Sequence, residues 1–406
     1  MSSFIINGGK CLEGSIPVAG SKNAALPIIF STLLMHGESV IAGVPDITDV
    51  RVALTLISDM GAVCHRVGDK LYIDTTNLHY TTPDPGLSSR IRASAYLLGA
   101  CLARFGRADL FTVGGCSFDK RPIDMHIGAA RALGAELGNG EITAKKLHGS
   151  DVIFEKTSVG ATINAILMAT VASGTTRIFG HAREPHVYSL IDFLTSAGAS
   201  IHVHTRYIEI EGRELRGAYG AVIPDMIEAG TYIALALATR SPLKIVGARR
   251  TDLDFFVDTL VDAGATLSFD GDTIIADGSL DAPVTITATP HPGFATDLQP
   301  QMAPLLSSFC GGRITDTVWR SRFGYLPELA KHGLEYERTD NTALIKPSNL
   351  HPANTVAPDL RGGAALIIAA LVAKGESRID SAEIIKRGYE NIINKLREVG
   401  ADIYEI

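Results

Sequence analysis

The residues with the clearest capacity for chemistry lie in Val113–His126, which runs V-G-G-C-S-F-D-K-R-P-I-D-M-H. Two glycines allow a tight turn before Cys116, and Pro122 stands where proline is tolerated at the start of a helix. The stretch therefore predicts a loop that ends at a helix N-terminus, where backbone N–H groups and Arg121 favour an anion. Positive charge from Lys120 and Arg121 lowers the pKa of a nearby thiol, so Cys116 is a candidate acid or nucleophile. A structural cysteine in an ordinary turn is the alternative.

Polar or charged side chains also stand at the starts of helices that are otherwise apolar. These positions are Lys22, Arg92, Ser158, Asp225, Asp297, and Asp359 with Arg361. Capping is the simpler interpretation for Ser158 and Asp225, because their side chains accept hydrogen bonds from the first turn. A lysine or arginine opposes the helix dipole, so these cations predict a bound anion.

A second series of arginines precedes the surface helices, namely Arg121, Arg183, Arg250, Arg322 and Arg387. Each lies ahead of a recurring glycine, by 15 residues for Arg183 and Gly198 and by 11 for Arg322 and Gly333 at the extremes. Equivalent positions in repeated segments tend to lie on one face. The series therefore predicts a basic lining for a small, multiply charged substrate, although any single member is also explained as a surface arginine near a turn.

The chain contains six similar segments, each with an amphipathic helix that ends in Gly-Ala or Gly-Leu and is followed by a polar strand pair. The recurring glycines are Gly61, Gly134, Gly198, Gly264, Gly333 and Gly400, at separations of 64 to 73 residues. Glycine suits the left-handed position that follows a helix. A second, apolar helix in each segment predicts a buried core helix, and alternating stretches such as Ser200–Glu211 predict a half-buried strand. A period this long indicates small α/β subdomains rather than a solenoid.

Composition limits the classes of function. The 406 residues carry a net charge of −7, which argues against a nucleic-acid or anionic-membrane surface. We find no secretory leader and no apolar run long enough to span a bilayer, so we predict a cytoplasmic protein. Five cysteines without CxxC spacing indicate free thiols and no metal site. The sequence motifs of P-loop NTPases, dinucleotide-binding dehydrogenases, zinc peptidases and α/β-hydrolases are absent.

Several motifs, taken together and in order, resemble one family. They are G-S-K-N-A-A-L-P (Gly20–Pro27), R-A-S (Arg92–Ser94), G-G-C followed by R-P-I-D-M-H, K-T-S-V-G-A-T (Lys156–Thr162), P-D-M-I-E-A-G-T-Y, G-F-A-T-D-L-Q (Gly293–Gln299) and R-G-Y-E (Arg387–Glu390). The resemblance runs from Ile6 to Ile403 and is to the UDP-N-acetylglucosamine enolpyruvyl transferases, which open peptidoglycan precursor synthesis. The related 5-enolpyruvylshikimate-3-phosphate synthases share the architecture but lack the G-G-C loop.

The resemblance implies a two-domain inside-out α/β barrel with six βαβαββ-like repeats, three in each domain. One domain would span residues 22–224 and carry the catalytic loop 113–126, and the other would combine residues 1–21 with 225–406. The active site would lie in the cleft between the domains, which closes on substrate and excludes water. The implied partners are phosphoenolpyruvate and a uridine sugar nucleotide. No cofactor, metal, nucleic acid, membrane or obligate protein partner is implied.

The resemblance also implies roles for individual residues. Asp297 would accept the proton of the sugar 3′-hydroxyl, and Cys116 would protonate the methylene carbon of phosphoenolpyruvate or form an adduct with it. Lys22, Arg121 and Arg387 would hold the phosphate and carboxylate of phosphoenolpyruvate. The other implied substrate contacts are Asn23, Arg92, Pro122, Ile123, Asp124, Met125, Lys156, Thr157, Ser158, Val159, Val318, Arg322, Asp359 and Arg361. Of these, residues 122–125 and 156–159, with Arg121, would hold the uridine diphosphate.

Five residues, in four places, depart from the family pattern. R-S-R-F at Arg320–Phe323 replaces E-N-R-F, Lys386 replaces an aspartate, Met226 replaces an arginine, and His186 replaces a glutamate after R-E-P. Three hypotheses follow: transfer to UDP-N-acetylglucosamine, transfer to another uridine nucleotide such as uridine monophosphate, or binding of a sugar nucleotide or phosphoenolpyruvate without catalysis. Harmless variation at the rim of the site would also explain the departures. The intact catalytic set favours catalysis.

Overall fold

The computed structural model describes residues 2–110 and 122–406 and shows a mixed α/β chain. Its α-helices are α1 (Lys22–Ser31), α2 (Thr48–Ser58), α3 (Pro85–Ser88), α4 (Tyr96–Phe105), α5 (Asp124–Ala132), α6 (Val159–Ala169), α7 (Pro185–Ser196), α8 (Met226–Ala238), α9 (Asp254–Asp262), α10 (Gln299–Ser307), α11 (Leu326–Lys331), α12 (Leu360–Val372) and α13 (Ile392–Glu398). None of the helices in these residues is long and apolar enough to cross a membrane.

The strands are short. They are β1 (Ser3–Gly8), β2 (Gly14–Pro17), β3 (Met35–His36), β4 (Glu38–Ala42), β5 (Val63–Val67), β6 (Lys70–Asp74), β7 (Arg107–Asp109), β8 (Glu136–Leu137), β9 (Glu141–Thr143), β10 (Asp151–Ile153), β11 (Thr175–Phe179), β12 (Ser200–Val203), β13 (Tyr207–Glu211), β14 (Leu215–Arg216), β15 (Tyr219–Ala221), β16 (Leu243–Val246), β17 (Thr266–Asp270), β18 (Thr273–Asp277), β19 (Val284–Ala288), β20 (Gly312–Asp316), β21 (Tyr336–Thr339), β22 (Thr342–Ile345), β23 (Asn354–Val356), β24 (Gly375–Asp380) and β25 (Asp402–Glu405).

The described chain divides into two compact units, each with its own apolar core. The C-terminal unit comprises residues 2–19 and 224–406, and the N-terminal unit comprises residues 20–110 and 122–223. The C-terminal unit has three four-stranded sheets, ordered β17-β18-β16-β2, β19-β20-β22-β21 and β23-β24-β1-β25. Helices α8, α10 and α12 pack against one another and against these sheets, and they are apolar on most faces, as buried helices must be.

The N-terminal unit repeats this plan. Its sheets are β15-β4-β6-β5, β10-β11-β13-β12 and β7-β9-β8, with a further short pair of β14 and β3. Helices α1, α4 and α6 are its buried helices, and α4 contacts both α1 and α6. The prediction of one buried helix and one surface helix per segment is confirmed.

The first strand of the chain completes the last sheet of the C-terminal unit. Strand β1 pairs antiparallel with β24 on one side and with β25 on the other. In the sheet ordered β19-β20-β22-β21, the equivalent central strand β22 follows β21 directly in sequence. The sixth repeat therefore borrows its central strand from the start of the chain.

The recurring glycines end the surface helices as predicted. Gly61, Gly134, Gly198, Gly264, Gly333 and Gly400 all have positive φ, between 86° and 103°. An L side chain is strained at these angles, so glycine is the residue that closes each surface helix.

The strand pair predicted after the surface helix is confirmed at Ser200–Glu211, but the prediction of one strand over this whole segment was wrong. The segment is the hairpin of β12 and β13, in which Ser200 pairs with Glu211. The turn between the strands is closed by a 2.9 Å hydrogen bond from His204 N to Tyr207 O. Alternation of polar and apolar residues continues through the turn, so periodicity alone gives no sign of the break.

Candidate active site

Asp297 lies between two buried arginines of the C-terminal unit. It belongs to the 3₁₀ turn Thr296–Leu298 that leads into α10. Its Oδ1 accepts a 2.6 Å hydrogen bond from Arg322 Nη1, and its Oδ2 lies 3.4 Å from both Nε and Nη2 of Arg361. The arginine side chains are 5% and 2% exposed, whereas that of Asp297 is 29% exposed. Two guanidinium groups favour the ionised carboxylate, which is the form that accepts a proton.

The two arginines keep their charge although they are buried. Burial alone lowers the pKa of Arg322, but the carboxylates of Asp297 and Asp359 outweigh it and the net shift is upward. For Arg361 burial also lowers the pKa, and Tyr389 and Asp297 reverse the direction. Asp297 is therefore held in a fixed positive environment.

Asp316, at the end of β20, organises the loop that carries Arg322. Its Oδ1 accepts hydrogen bonds from the backbone N of Val318 at 2.9 Å and of Trp319 at 2.8 Å. Its Oδ2 accepts a 2.6 Å bond from Thr296, whose hydroxyl oxygen accepts a 3.2 Å bond from Arg322 Nη1. Burial raises the pKa of Asp316, while these hydrogen bonds oppose the rise. One buried carboxyl thus positions Val318, Thr296 and Arg322 together.

Asp359 caps α12. Its Oδ1 accepts hydrogen bonds from the backbone N of Arg361 and of Gly362, both at 2.9 Å. Capping therefore accounts for the acid at this helix start, as it does for Asp225, which accepts from the backbone N of Ile227 at 2.8 Å. A substrate contact by Asp359 stays a prediction.

Lys22 begins α1 in the N-terminal unit and has a carboxylate of the same chain beside it. Its Nζ lies 2.6 Å from Oδ2 of Asp49, a residue of α2 that is 2% exposed. We expected a ligand anion to offset the unfavourable helix dipole, and Asp49 supplies an anion within the protein. Asn23, the next residue of α1, is half-buried.

Arg92 opens the 3₁₀ turn Arg92–Ala95 before α4 and is half-buried. Burial lowers the pKa of Arg92. Within residues 2–110 and 122–406 its side chain forms no hydrogen bond or ion pair. An added anion would therefore compensate a half-buried charge that has no ion-pair partner in the described part of the chain.

His126 and Asn164 form a buried polar cluster in the N-terminal unit. Asn164 Nδ2 donates to Ala95 O at 2.9 Å and lies 2.6 Å from His126 Nδ1, and its Oδ1 accepts from Gly99 N at 2.7 Å. The amide leaves His126 Nδ1 as an acceptor. Burial lowers the pKa of His126 to about 4, and the charge of Arg92 adds to the effect. The imidazole is therefore neutral near pH 7.

The predicted nucleotide contacts lie at two helix starts. Helix α5 begins at Asp124, so Pro122 and Ile123 precede it and Met125 lies in its first turn. Lys156 and Thr157 are exposed in the loop after β10. Ser158 caps α6 by accepting a 3.3 Å bond from Ala161 N, and Val159 is the first residue of that helix. Cys116 and Arg121 lie outside the described residues, and so do residues 113–120 of the predicted loop.

Arg387 ends the 3₁₀ turn Ala382–Arg387 in the C-terminal unit and is half-buried. Of the predicted site residues, Asp297 thus contacts Arg322 and Arg361 directly. Val318 is connected to this group through Asp316, which bonds to its backbone N. Lys22, Arg92 and residues 122–125 and 156–159 belong to the N-terminal unit.

Sequence reasoning missed Asp49, Asp316, Thr296 and the pair of His126 and Asn164. Thr296 and His126 stand inside recognised motifs, and Asn164 is a polar residue within the apolar run of α6, whereas Asp49 and Asp316 carried no local signal. Among the described residues, no group of three or more histidines, cysteines and acids could hold a metal ion. Cys11, Cys64, Cys101 and Cys310 are free thiols.

Solved structures share this architecture over the full chain. The enolpyruvyl transferase NikO from Streptomyces tendae matches with a TM-score of 0.88 and 26% identity, covering 100% of this chain and 99% of the other. An EPSP synthase from Acinetobacter baumannii matches with a TM-score of 0.75 and 18% identity, over 100% and 99% of the two chains, which speaks to the fold alone. The shared fold and the match to the family model thus define an enolpyruvyl transferase built as a two-domain inside-out α/β barrel.

Sequence comparison narrows the class to a family. Residues 6–396 match the family model EPSP synthase (3-phosphoshikimate 1-carboxyvinyltransferase), and the chain belongs to this family. A UDP-N-acetylglucosamine 1-carboxyvinyltransferase from Halothermothrix orenii is 40% identical over 415 residues and covers the whole of both sequences. UDP-N-acetylglucosamine 1-carboxyvinyltransferase 1 from Streptococcus agalactiae serotype Ia is also 40% identical, over 99% of each sequence.

The departures from the family pattern have local explanations in this chain. Arg320 forms an ion pair with Asp340, and Lys386 forms one with Glu405. Met226 is the first residue of α8 and packs against the core of the C-terminal unit. His186 is buried in α7. The two unexpected bases therefore have acidic partners of their own.

Proposed function

We propose that this protein transfers the enolpyruvyl group of phosphoenolpyruvate to the 3′-hydroxyl of UDP-N-acetylglucosamine and releases phosphate. This reaction begins the synthesis of peptidoglycan precursors. The observation that carries the proposal is the full-length similarity, at 40% identity, to UDP-N-acetylglucosamine 1-carboxyvinyltransferases. The carboxylate of Asp297, held between two buried arginines, supports it independently, because the reaction needs a base for an alcohol.

In the proposed reaction Asp297 takes the proton of the acceptor hydroxyl while the hydroxyl oxygen bonds to C2 of phosphoenolpyruvate. Cys116 gives a proton to the methylene carbon. Loss of a proton from that carbon and of phosphate from C2 then restores the double bond. The thiol can also add to phosphoenolpyruvate as a nucleophile.

Cations of both units would hold the substrates. Lys22, Arg121 and Arg387 bind the phosphate and carboxylate of phosphoenolpyruvate, and Arg92 lies on the substrate side. Residues 121–125 and 156–159 bind the uridine diphosphate. The positions of residues 122–125 and 156–159 at the starts of α5 and α6 support this assignment, because backbone N–H groups there favour anions. The cleft between the two units would then contain the active site.

Transfer to another uridine nucleotide, such as uridine monophosphate, is the second candidate. Arg320 and Lys386 motivated it, since two bases replace two acids of the family pattern. Each base is paired with an exposed acid of this chain, which argues for compensated variation rather than a new acceptor. We therefore rank UDP-N-acetylglucosamine first.

The test is phosphate release from phosphoenolpyruvate with UDP-N-acetylglucosamine and uridine monophosphate as parallel acceptors. We expect turnover with the sugar nucleotide, and strongly reduced turnover in Cys116→Ala and Asp297→Ala. Turnover with the monophosphate alone would establish the second candidate. Ligand binding without any turnover would leave only a binding protein, and full activity of both variants would refute the assigned roles.

We further propose that the protein works in the cytoplasm without an obligate protein partner. Two features support this proposal: its substrates are cytoplasmic metabolites, and four of its cysteines are free thiols. Activity of the purified chain alone, with no added protein, is the corresponding check.

A further inference from the structure

Tyr389 contacts all three core helices of the C-terminal unit. It follows Arg387 by two residues and is 1% exposed. Its hydroxyl oxygen lies 2.9 Å from Thr231 Oγ1 on α8 and 3.2 Å from Gln301 Nε2 on α10. The guanidinium carbon of Arg361 on α12 lies 5.2 Å from the centroid of its ring.

The hydrogen bonds fix the role of the Tyr389 hydroxyl. Thr231 donates its own proton to Ile227 O at 2.7 Å, so its oxygen acts as an acceptor toward Tyr389. Gln301 Nε2 donates to both Thr231 Oγ1, at 3.1 Å, and Tyr389. The Tyr389 hydroxyl therefore donates to Thr231 and accepts from Gln301. With both functions satisfied inside the core, it is not a proton donor to substrate, and burial raises its pKa.

The hydrogen bonds of the Arg361 side chain to Asp297 are weak. Its two contacts with Asp297 are both 3.4 Å long, at the outer limit for a hydrogen bond. Its Nη1 is buried without a hydrogen-bond partner among the described residues. The contact with the face of Tyr389 adds a cation–π interaction that is stronger in a desolvated site.

We propose that Tyr389 is a positioning residue for enolpyruvyl transfer, because it holds Arg361 against Asp297 and so orients the carboxylate that takes the acceptor proton. Arg322 donates to Asp297 Oδ1 at 2.6 Å and Arg361 lies 3.4 Å from Oδ2, so the two guanidinium groups together fix both oxygens of the carboxylate. This inference rests on the proposed function and adds a residue that never touches substrate.

The test compares Tyr389→Phe with a matched control, Tyr232→Phe. Tyr232 is the residue after Thr231, is fully buried, and donates its hydroxyl to Glu228 Oε1 at 2.7 Å. Phenylalanine keeps the ring but removes the hydroxyl that anchors it to Thr231 and Gln301, so the ring is no longer fixed against Arg361. We expect Tyr389→Phe to lower kcat about 10-fold and to leave both KM values within about twofold, because substrate binding is intact and the alignment of Asp297 is not. Tyr232→Phe should keep kcat within about twofold. It should lower the midpoint of thermal unfolding about as much as Tyr389→Phe does.

A double-mutant cycle with Asp297→Asn tests the route of the effect. If Tyr389 acts through the carboxylate, Tyr389→Phe should cause no further loss of kcat in the Asp297→Asn background. The same 10-fold loss in both backgrounds would overturn the proposal. A loss equal to that of Tyr232→Phe, or a change confined to KM, would also overturn it.

A second readout requires no turnover. In protein labelled with ¹⁵N-arginine, the Nε–H of Arg361 should exchange slowly in the parent chain and in Tyr232→Phe, and faster in Tyr389→Phe. Unchanged exchange in Tyr389→Phe would refute the positioning role. Failure of the parent chain to release phosphate with any acceptor would instead refute the proposed function, and the exchange measurement would still decide whether Tyr389 holds Arg361.

Discussion

In each unit a buried polar cluster connects the core helices by hydrogen bonds, and the two clusters differ in their chemistry. In the N-terminal unit Asn164 joins α6 to His126 on α5 and to the backbone of α4. In the C-terminal unit Thr231 and Gln301 join α8 and α10 to Tyr389. Asn164 and Thr231 are equivalent, since each lies six residues after the residue that caps its helix. The same place in the repeat thus holds an amide in one unit and a hydroxyl in the other.

The two clusters also differ in the charged residues that lie beside them. The C-terminal cluster adjoins Asp297 and its two arginines, each of which is paired with this carboxylate of the chain. The N-terminal cluster adjoins Arg92, which has no ion-pair partner in the described part of the chain, and its histidine is neutral. The carboxylate of the C-terminal unit is thus held by cations of the chain itself. In the N-terminal unit the two site cations differ, since Lys22 is paired with Asp49 and Arg92 has no such carboxylate among the described residues.

The largest expected effect is a loss of kcat, and it should differ between Asp297 and Asp49, the acids that pair with site cations in the two units. Asp297→Asn should lower kcat for phosphate release about 10³-fold, because an amide cannot take the acceptor proton. Asp49→Asn should lower it only about 10-fold, since Asp49 orients Lys22 and does not touch the reacting atoms. Equal losses in the two variants would mean that Asp297 also acts only by holding its arginines.

A stability measurement compares the two clusters directly. Asn164→Ala removes the partner of three buried groups, so we expect the free energy of unfolding to fall by about 3 kcal/mol. Thr231→Val removes one hydroxyl and leaves Gln301 bonded to Tyr389, which should cost about 1 kcal/mol. Hydrogen exchange followed on peptides of α6 and α8 would assign each loss to its unit. A larger loss for Thr231→Val would reverse the ranking of the clusters.

The clusters should also differ in their response to pH. Burial lowers the pKa of His126 from 6.5 to about 4, so between these values the unfolded chain binds a proton that the folded chain does not. The free energy of unfolding therefore has no penalty from His126 above pH 6.5. It declines as the pH falls, and below pH 4 the loss due to His126 is about 3 kcal/mol. The hydroxyl cluster has no group that titrates in this range, because burial raises the pKa of Tyr389.

The measurement is the free energy of unfolding at pH 7 and pH 4.5 for the parent chain, His126→Gln and Tyr389→Phe. Other histidines with lowered pKa contribute equally to all three proteins, so the difference between variants isolates His126. We expect a smaller loss on acidification in His126→Gln and an unchanged loss in Tyr389→Phe. The same loss in all three would mean that His126 is protonated in the folded state.

Sequence alone predicted the repeats well and the clusters poorly. The glycines, the capping residues and the apolar helices are local signals, because each reports the conformation of its own segment. Asp316 and Asp49 matter through contacts with Thr296 and Lys22, which are 20 and 27 residues away in sequence. A lone buried acid has no local pattern, so the ion pairs around Asp297 emerged only with the fold. At Arg320 and Lys386 the sequence showed that a base replaces an acid of the family pattern. It did not show the acidic residues with which these two bases pair in the fold.

The smallest expected effect concerns those two exposed ion pairs, which contrast with the buried pairs of the same unit. The side chains of Arg320 and Asp340 are 68% and 61% exposed, so water competes for both charges. We expect Arg320→Ala and Lys386→Ala each to change the free energy of unfolding by at most about 1 kcal/mol. Their acceptor preference should match that of the parent chain in the phosphate-release assay. A shift of preference between UDP-N-acetylglucosamine and uridine monophosphate in either variant would make that residue part of acceptor recognition, and would favour the second candidate function.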